Sequence, residues 1–161
     1  MKNHTFDQLF EKWHLKSIKL NIKFASMEFA PKDVDREAAW ELYVELLTRI
    51  TTQSLPFSYG DEKTALDSVY SIFPITREIL KRKGRQCTEF SKVAIPVLNQ
   101  VVRPFTAKWH KLSLNNAFGD VEKCKEFREE LKNLQTLLKY YTSMLSEIAE
   151  VEDLSGFENL A

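Results

Sequence analysis

TEFSKVAIPVLNQVVRPFTAKWHKL, residues 88–112, is the most apolar stretch of the chain and the part that says most about its fold. At the period of an α-helix its apolar side chains fall on one broad stripe: Phe90, Ala94, Val97, Leu98, Val101, Phe105 and Leu112. The stripe predicts a central core helix. Pro96 and Pro104 interrupt it, and because proline removes a backbone donor, we expect a kink, or a break with a new start near Arg103.

The opposite side of this helix carries a narrow line of polar residues, which we call the polar seam: Asn99, Arg103, Thr106, His110 and Ser113. At a helical rotation of about 100° per residue, they fall within roughly 40° of a common line. The apolar residues Ile95 and Val102 flank the seam. Since apolar flanks are unusual beside a face that meets water, they indicate that another surface covers the seam.

Two long helices are predicted before this stretch. Asp33 and Asp35 predict an N-cap and an acidic first turn for a helix that runs to about Gln53. Its core stripe consists of Ala38, Ala39, Leu42, Leu46 and Ile50. The second helix is predicted to open at Gly60-Asp61, to bend at Pro74, and to end where KRKG places cations and then a glycine.

A further long helix is predicted after the central one. Asp120 is its expected N-cap, and its core stripe consists of Phe127, Leu131, Leu134, Leu138, Tyr141, Leu145 and Ile148. Four long amphipathic helices joined by short loops are typical of an antiparallel four-helix bundle. The predicted fold class is therefore mainly α.

The N-terminal residues follow a different pattern. A short helix or docking arm is predicted within residues 1–14, from the spacing of Phe6, Leu9, Phe10 and Trp13. Between Lys16 and Phe24 the apolar residues Ile18, Leu20, Ile22 and Phe24 alternate with polar ones, the period of a half-buried strand. A bulge or second short strand follows at Met27 and Phe29. Because no second strand of similar quality exists, residues 16–29 either fold back as a β-hairpin or pair with another chain.

These elements predict one domain with three parts. Residues 1–31 form the N-terminal arm, residues 32–151 the four-helix bundle, and residues 152–161 a weakly ordered acidic tail. Pairing of the strand between chains predicts a homodimer, and residues 16–29 are also a candidate docking segment for a protein partner.

The composition excludes several classes of function. Lys and Arg number 23 and Asp and Glu 23, so no overall field attracts nucleic acid or an anionic membrane. No run of 18 apolar residues and no secretory leader pattern is present, so we expect a cytoplasmic protein that does not act on a membrane. Cys87 and Cys124 lack any paired metal-ligand spacing, and we interpret both as reduced thiols. No metal or other cofactor is predicted.

Arg103 and His110 in the polar seam are the residues whose chemistry suggests catalysis. On a helix they lie about 10 Å apart on one face, within reach of a common phosphate. A histidine that titrates near neutrality can move protons to and from a ribose hydroxyl or a leaving oxygen, and a guanidinium can stabilise charge on phosphate oxygens. Asn99 and Thr106 could orient either group.

The combination of a helical bundle and RPFTAKWH, an arginine and a histidine separated by six residues on a long helix, resembles the HEPN superfamily of helical ribonucleases. The resemblance covers residues 33–150. It implies metal-independent cleavage of RNA in a bacterial toxin–antitoxin or antiviral defence system. It also implies that His110 acts as acid and base, that Arg103 binds phosphate, and that the site forms where two such helices meet across a dimer axis.

Structural interpretations of the same residues stay open. Arg103 and His110 also fit the solvated side of an amphipathic helix, or pairs with carboxylates inside the bundle. The basic run KRKGR contributes Lys81, Arg82, Lys83 and Arg85 as candidate phosphate-binding residues, or it only completes the helix dipole. The sequence thus leads to two functions: a HEPN-like ribonuclease, or a non-catalytic helical interaction module that self-associates and docks a protein partner.

Overall fold

The structure is a computed structural model that describes residues 3–49 and 51–156. Within these residues the chain is mainly helical, with one small two-stranded antiparallel sheet at its N-terminal end, so the predicted fold class is confirmed at this level. The strands are β1 (His4–Thr5) and β2 (Glu28–Phe29). The α-helices are α1 (Phe6–Lys12), α2 (Ile22–Ala25), α3 (Asp33–Leu47), α4 (Glu62–Tyr70), α5 (Ile72–Lys83), α6 (Thr88–Val97), α7 (Arg103–Leu114) and α8 (Val121–Ala149).

The long helices pack around α3 and α8. Helix α3 lies along α8 and also contacts α5 and α6, whereas α4 contacts α7 and α8. All seven residues of the stripe predicted for α8 are buried, and Asp120 caps this helix by accepting a hydrogen bond from the Glu122 backbone N–H at 2.9 Å. The largest fully buried side chains are Trp109, Tyr43 and Tyr141, so aromatic rings fill much of the core.

The central stretch forms α6 and α7 joined by a π-helical turn, Leu98–Val102. The backbone N–H of Arg103 donates to the Leu98 carbonyl, five residues back, and Pro104 has no N–H to offer the Gln100 carbonyl. The irregularity expected near Arg103 is therefore present. The predicted stripe is buried except at half-buried Leu112, and Trp109, which the stripe omits, is fully buried beside it.

The start of α3 differs from the prediction. Lys32, and not Asp33, is the N-cap residue. Asp35 is fully buried: its Oδ2 accepts from the Lys32 backbone N–H at 2.9 Å, and its Oδ1 accepts from the Phe90 backbone N–H at 2.9 Å. One carboxylate thus satisfies donors at the starts of α3 and α6 and joins the two helices.

Helix α3 also ends at Leu47, before the predicted end at Gln53. The buried hydroxyls of Thr51 and Thr52 donate to the Leu46 carbonyl at 3.2 and 2.7 Å. Threonine side chains that bond the backbone in this way compete with helical hydrogen bonds, which explains the early end. The predicted core residue Ile50 lies outside the described residues.

The helix predicted from Gly60-Asp61 to KRKG is divided at Ser71 into α4 and α5. The Asp61 side chain caps α4 by accepting from the Thr64 backbone N–H at 2.8 Å. Pro74 lies in the first turn of α5, where helical N–H groups have no partner inside the helix, so its missing donor has little cost. Gly84 ends α5 with φ of 79°, a backbone conformation that glycine adopts readily.

The strand predicted between Lys16 and Phe24 is wrong. The Lys19 backbone N–H donates to the Gln100 side-chain oxygen at 2.7 Å, and its carbonyl accepts from the Gln100 amide nitrogen at 3.0 Å. One side-chain amide thus replaces a partner strand. The Asn21 side chain then accepts from the Phe24 backbone N–H at 2.8 Å and begins α2 where the alternation predicts strand.

The strand that does form is Glu28–Phe29, and its partner lies in the same chain. His4 pairs with Phe29 and Thr5 with Glu28. The pairing that predicted a homodimer is therefore satisfied within the monomer, and residues 16–24 have no strand edge to offer a partner. Phe6, Leu9 and Phe10 of α1 are buried in the same core as the long helices.

Residues after α8 contact α3. The Tyr43 hydroxyl donates to the Glu152 carbonyl at 3.2 Å and accepts from the Leu154 backbone N–H at 2.6 Å. The part of the predicted acidic tail from residue 157 onward lies outside the described residues.

Candidate functional site

Arg103 lies in the first turn of α7 with its guanidinium held on two sides. Its Nε and Nη2 donate to the Asn99 side-chain oxygen at 3.1 and 3.0 Å. Its Cζ lies 4.8 Å from the ring centroid of Phe73, in cation–π contact with the first turn of α5. These contacts orient the exposed guanidinium and leave its Nη1 without a hydrogen-bond partner among the described residues.

His110 lies two turns further along α7. Its imidazole meets the Tyr70 ring edge to face, with centroids 5.0 Å apart, and its Nε2 is 4.0 Å from the Asp67 Oδ1. Burial, and then the charge of Lys63, lower the pKa of His110 from its usual value, and Asp67 opposes them. The lowered pKa favours the neutral imidazole, which can accept a proton.

The two side chains are joined by a pair of aromatic rings. The rings of Tyr70 and Phe73 have centroids 5.5 Å apart, and each contacts one of the two α7 residues. We call Arg103, His110, Tyr70 and Phe73 together the Arg–His face. The sequence indicated that another surface covers the seam. The junction of α4 and α5 contacts Arg103 and His110, but it leaves the guanidinium exposed and the imidazole partly exposed.

The two chemical groups of this face lie at different positions along α7. Arg103 and His110 lie about 10 Å apart along the axis of a regular helix. The imidazole is 34% exposed, and the guanidinium is stacked on Phe73. Each group is therefore held by its own ring, His110 by Tyr70 and Arg103 by Phe73.

The other seam residues bond to the backbone. Thr106 is buried, and its hydroxyl donates to the carbonyls of Val102 and Arg103 at 3.4 and 3.2 Å. The Ser113 hydroxyl donates to the His110 carbonyl at 2.8 Å. Of the two supporting residues predicted from the sequence, Asn99 touches the Arg103 guanidinium, whereas Thr106 is directed into the helix.

Arg77 is a cation at this face that the sequence did not single out. Its Cζ lies 5.9 Å from the Phe73 centroid, so two guanidinium groups contact one ring. Arg77 is exposed and makes no ion pair within the described part of the chain. Asp67, Tyr70, Phe73 and Arg77 recur at three to four residues along one face of α4 and α5, which is the signal that could have grouped them.

The basic run at the end of α5 divides into paired and unpaired residues. Arg82 forms an ion pair with Glu41, and Lys83 contacts Glu37 at 2.8 Å and Glu41 at 3.1 Å. A hydrogen bond to Glu37 raises the pKa of Lys83, and one from Arg82 lowers the pKa of Glu41. These two cations are occupied by carboxylates of α3.

Lys81 and Arg85 remain as candidate phosphate ligands from that run. Both are exposed and have no ion pair in the ranges that the structure covers. Lys81 lines a shallow cavity of about 570 Å³ on α5 together with Pro74, Arg77, Glu78 and Arg82. The cations of α5 therefore face a surface next to the Arg–His face.

Metal-ion clusters and membrane-spanning helices are both absent from residues 3–49 and 51–156. No cluster of three or more His, Cys, Asp or Glu side chains there is arranged to hold a metal ion. None of the helices in these ranges combines the length and apolar composition that crossing a bilayer needs. Cys87 is buried under α3, and burial raises the pKa of its thiol to about 12.

Comparison with known proteins adds no family: no family model, curated protein or solved structure matches this chain.

Proposed function

We propose that the chain is a HEPN-like, metal-independent endoribonuclease of a bacterial toxin–antitoxin or antiviral defence system, with Arg103 and His110 as its catalytic pair. The observation that carries the proposal is the Arg–His face itself. A neutral imidazole and an oriented guanidinium lie on one side of α7, both open to solvent and both held by aromatic rings of a neighbouring segment.

The chemistry follows from the two side chains. His110 takes the proton of a ribose 2′-hydroxyl, whose oxygen then attacks the adjacent phosphorus. The bond from phosphorus to the 5′-oxygen breaks, and a protonated imidazole returns a proton to that oxygen. Arg103 stabilises the negative charge on the non-bridging oxygens. The products are a 2′,3′-cyclic phosphate and a 5′-hydroxyl.

A composite site supplies both halves of this reaction. In the proposal, α3, the α4–α5 pair, the α6–α7 segment and α8 act as the four helices of an antiparallel bundle, and two bundles meet through their Arg–His faces. In this arrangement each arginine acts beside the imidazole of the other copy, so that one molecule does not have to bridge the separation of about 10 Å along its own α7. Tyr70 and Ile95, 44% and 46% exposed, provide apolar area beside the face.

The test is cleavage of a labelled single-stranded RNA by purified protein in EDTA. We expect His110→Gln and Arg103→Ala each to lower the rate about 100-fold or more, because each removes a group needed in the transition state. Lys111→Gln is the matched control, since it changes an exposed cation of the same helix that contacts neither ring. The wild-type protein should leave a cyclic-phosphate end.

If the wild type and the three variants cleave the RNA at equal rates, the cleavage comes from a contaminant and the proposal is wrong. Light scattering tests the composite site separately. A dimer is expected at micromolar concentration, and an active monomer would contradict the composite arrangement while leaving the catalytic pair in place.

A second function, the non-catalytic interaction module, is supported by an exposed apolar surface on α3. Trp40 and Val44 are 46% and 38% exposed and line a cavity of about 310 Å³ with Ile75. Exposed tryptophan is typical of protein interfaces. If the wild type is inert on RNA and dimeric, and Trp40→Asp makes it monomeric, this module becomes the better assignment.

A further inference from the structure

A groove lies between the middle of α8 and the segment that precedes α4. Its volume is about 440 Å³, within the range of small-ligand sites. Its lining combines Phe57, from a short stretch before α4, with charged side chains of α8: Lys125, Arg128, Glu129, Lys132 and Lys139. The Arg–His face is built on other elements, α7 and the α4–α5 junction.

Arg128 holds the wall of this groove in place. Its Nη1 donates to the carbonyls of Leu55 and Pro56 at 3.0 and 2.7 Å, its Nη2 to the Gly60 carbonyl at 3.3 Å, and its Nε to Glu62 at 2.7 Å. Gln135 donates to the Gln53 carbonyl at 2.6 Å. Because these bonds tie the segment to α8, the groove exists before any ligand binds.

Basic side chains outnumber acidic ones in the lining of the groove, although the chain as a whole is neutral. Four cations and one carboxylate line it, whereas the full sequence has equal numbers of each. Glu62 already neutralises Arg128, and Lys125 pairs with exposed Glu122 at 3.0 Å. Lys132 has no ion pair within the described ranges, so its ammonium group is available to an anion.

The lysines recur along α8 with a fixed spacing. Lys125, Lys132 and Lys139 are seven residues apart, which places them on one side of the helix at intervals of about 10 Å. Lys125 already pairs with Glu122 at 3.0 Å, so the row contributes Lys132 as the cation that we assign to a phosphate.

Phe57 supplies an exposed aromatic ring at the same groove. The residue is 76% exposed, and the Arg128 guanidinium lies 4.9 Å from its ring centroid. The backbone bonds of Arg128 therefore also position the ring. An aromatic ring beside lysines is the combination that binds a nucleobase by stacking and its phosphate by charge.

We propose that this groove binds a nucleotide unit, with the base against Phe57 and the phosphate at Lys132. The unit is either a free nucleotide or part of a single-stranded RNA, and both present the same base and phosphate. The inference goes beyond RNA cleavage, because binding here requires neither Arg103 nor His110.

The test is fluorescence anisotropy of a labelled adenylate RNA decamer, with unlabelled AMP as competitor, in EDTA. The full-length His110→Gln protein is used so that the RNA stays intact. We expect Phe57→Ala to weaken binding about 5- to 100-fold, the contribution of one stacked base. Tyr59→Ala is its matched control, because Tyr59 is 71% exposed in the same segment and does not line the groove.

Lys132→Gln should weaken binding and lower the slope of affinity against salt by about one unit, as loss of one phosphate contact does. Its control is Lys23→Gln, an equal charge change on α2. Competition by AMP supports a free nucleotide, and binding of the decamer without competition supports a strand. Absence of decamer and AMP binding overturns the proposal, as does equal weakening by the variants and their controls. Loss of cleavage in the earlier assay affects neither result.

Discussion

Arg128 and Arg103 are both arginines of long helices that contact a phenylalanine ring, yet they are used in opposite ways. The Arg128 side chain is 9% exposed, and its donors meet Glu62 and three carbonyls. Arg103 is exposed and donates only to Asn99 within the described part of the fold. A guanidinium whose three nitrogens all have partners inside the fold supports structure, whereas one with an outward nitrogen without a partner can bind a ligand.

The comparison also separates two kinds of aromatic contact. Phe57 is exposed and contacts Arg128, whose position is fixed by its backbone bonds. Phe73 is buried, and the exposed side chains of Arg103 and Arg77 contact its ring. In the first case the cation positions the ring, and in the second the ring positions the cations. The ligand-binding group is therefore expected to be the ring at the groove and the cation at the Arg–His face.

The largest effect should come from removing Arg128. Arg128→Ala leaves the Glu62 carboxylate and three carbonyls without their donor, and we expect the free energy of unfolding to fall by about 3–5 kcal/mol. Urea denaturation measures this change. Lys125→Ala, one turn away in an exposed pair with Glu122, should stay within about 0.5 kcal/mol. If Arg128→Ala lowers the free energy of unfolding no more than Lys125→Ala does, Arg128 does not hold the segment before α4 in place.

A smaller effect on stability is expected at Arg103. Arg103→Ala removes one cation–π contact and two exposed hydrogen bonds to Asn99, and the expected loss is about 0.5–1 kcal/mol. Measured in the same urea experiment, it should be several times smaller than the loss at Arg128. Unfolding that matches the Arg128 variant would show that Arg103 is a structural residue and would explain any loss of cleavage without catalysis.

The smallest effect concerns pH. Burial lowers the pKa of His110 in the folded state below the usual 6.5, so the unfolded chain takes up a proton there first. The contribution of His110 to stability therefore falls as the pH drops through 6.5 toward the lower pKa of the folded state, with Lys63 adding to this and Asp67 opposing it. His110→Gln should lose less stability than wild type between neutral and mildly acidic pH. The measurement is urea denaturation of both proteins across this pH range. An equal fall in the free energy of unfolding in the two proteins would contradict the prediction.

Periodicity predicted the parts of the fold in which one face of a long helix is buried. The α8 stripe is buried throughout, and Asp120 and Asp61 cap their helices through side-chain bonds. These features are local, because a helical face and a cap involve residues a few positions apart. The strand prediction failed where a distant residue intervened, as Gln100 does at Lys19.

The same distinction between local and long-range contacts applies to the candidate site. The sequence placed Arg103, Asn99 and His110 on one face of one helix, since spacing along a regular helix is enough for that. It did not indicate that Tyr70 and Phe73 would meet them, because those contacts depend on how the α4–α5 junction packs against α7. It also treated KRKGR as one run, whereas α3 carboxylates occupy two of its members.

The sequence by itself determined a mainly helical chain, its longest helices and the residues on each buried face, because local hydrogen bonding and the burial of apolar side chains follow from composition and spacing. Only the tertiary structure decided which cations are available. Arg128 and Arg103 look alike in the sequence, and the difference between a structural arginine and a ligand-binding one lies in whether distant carbonyls and carboxylates reach its donors.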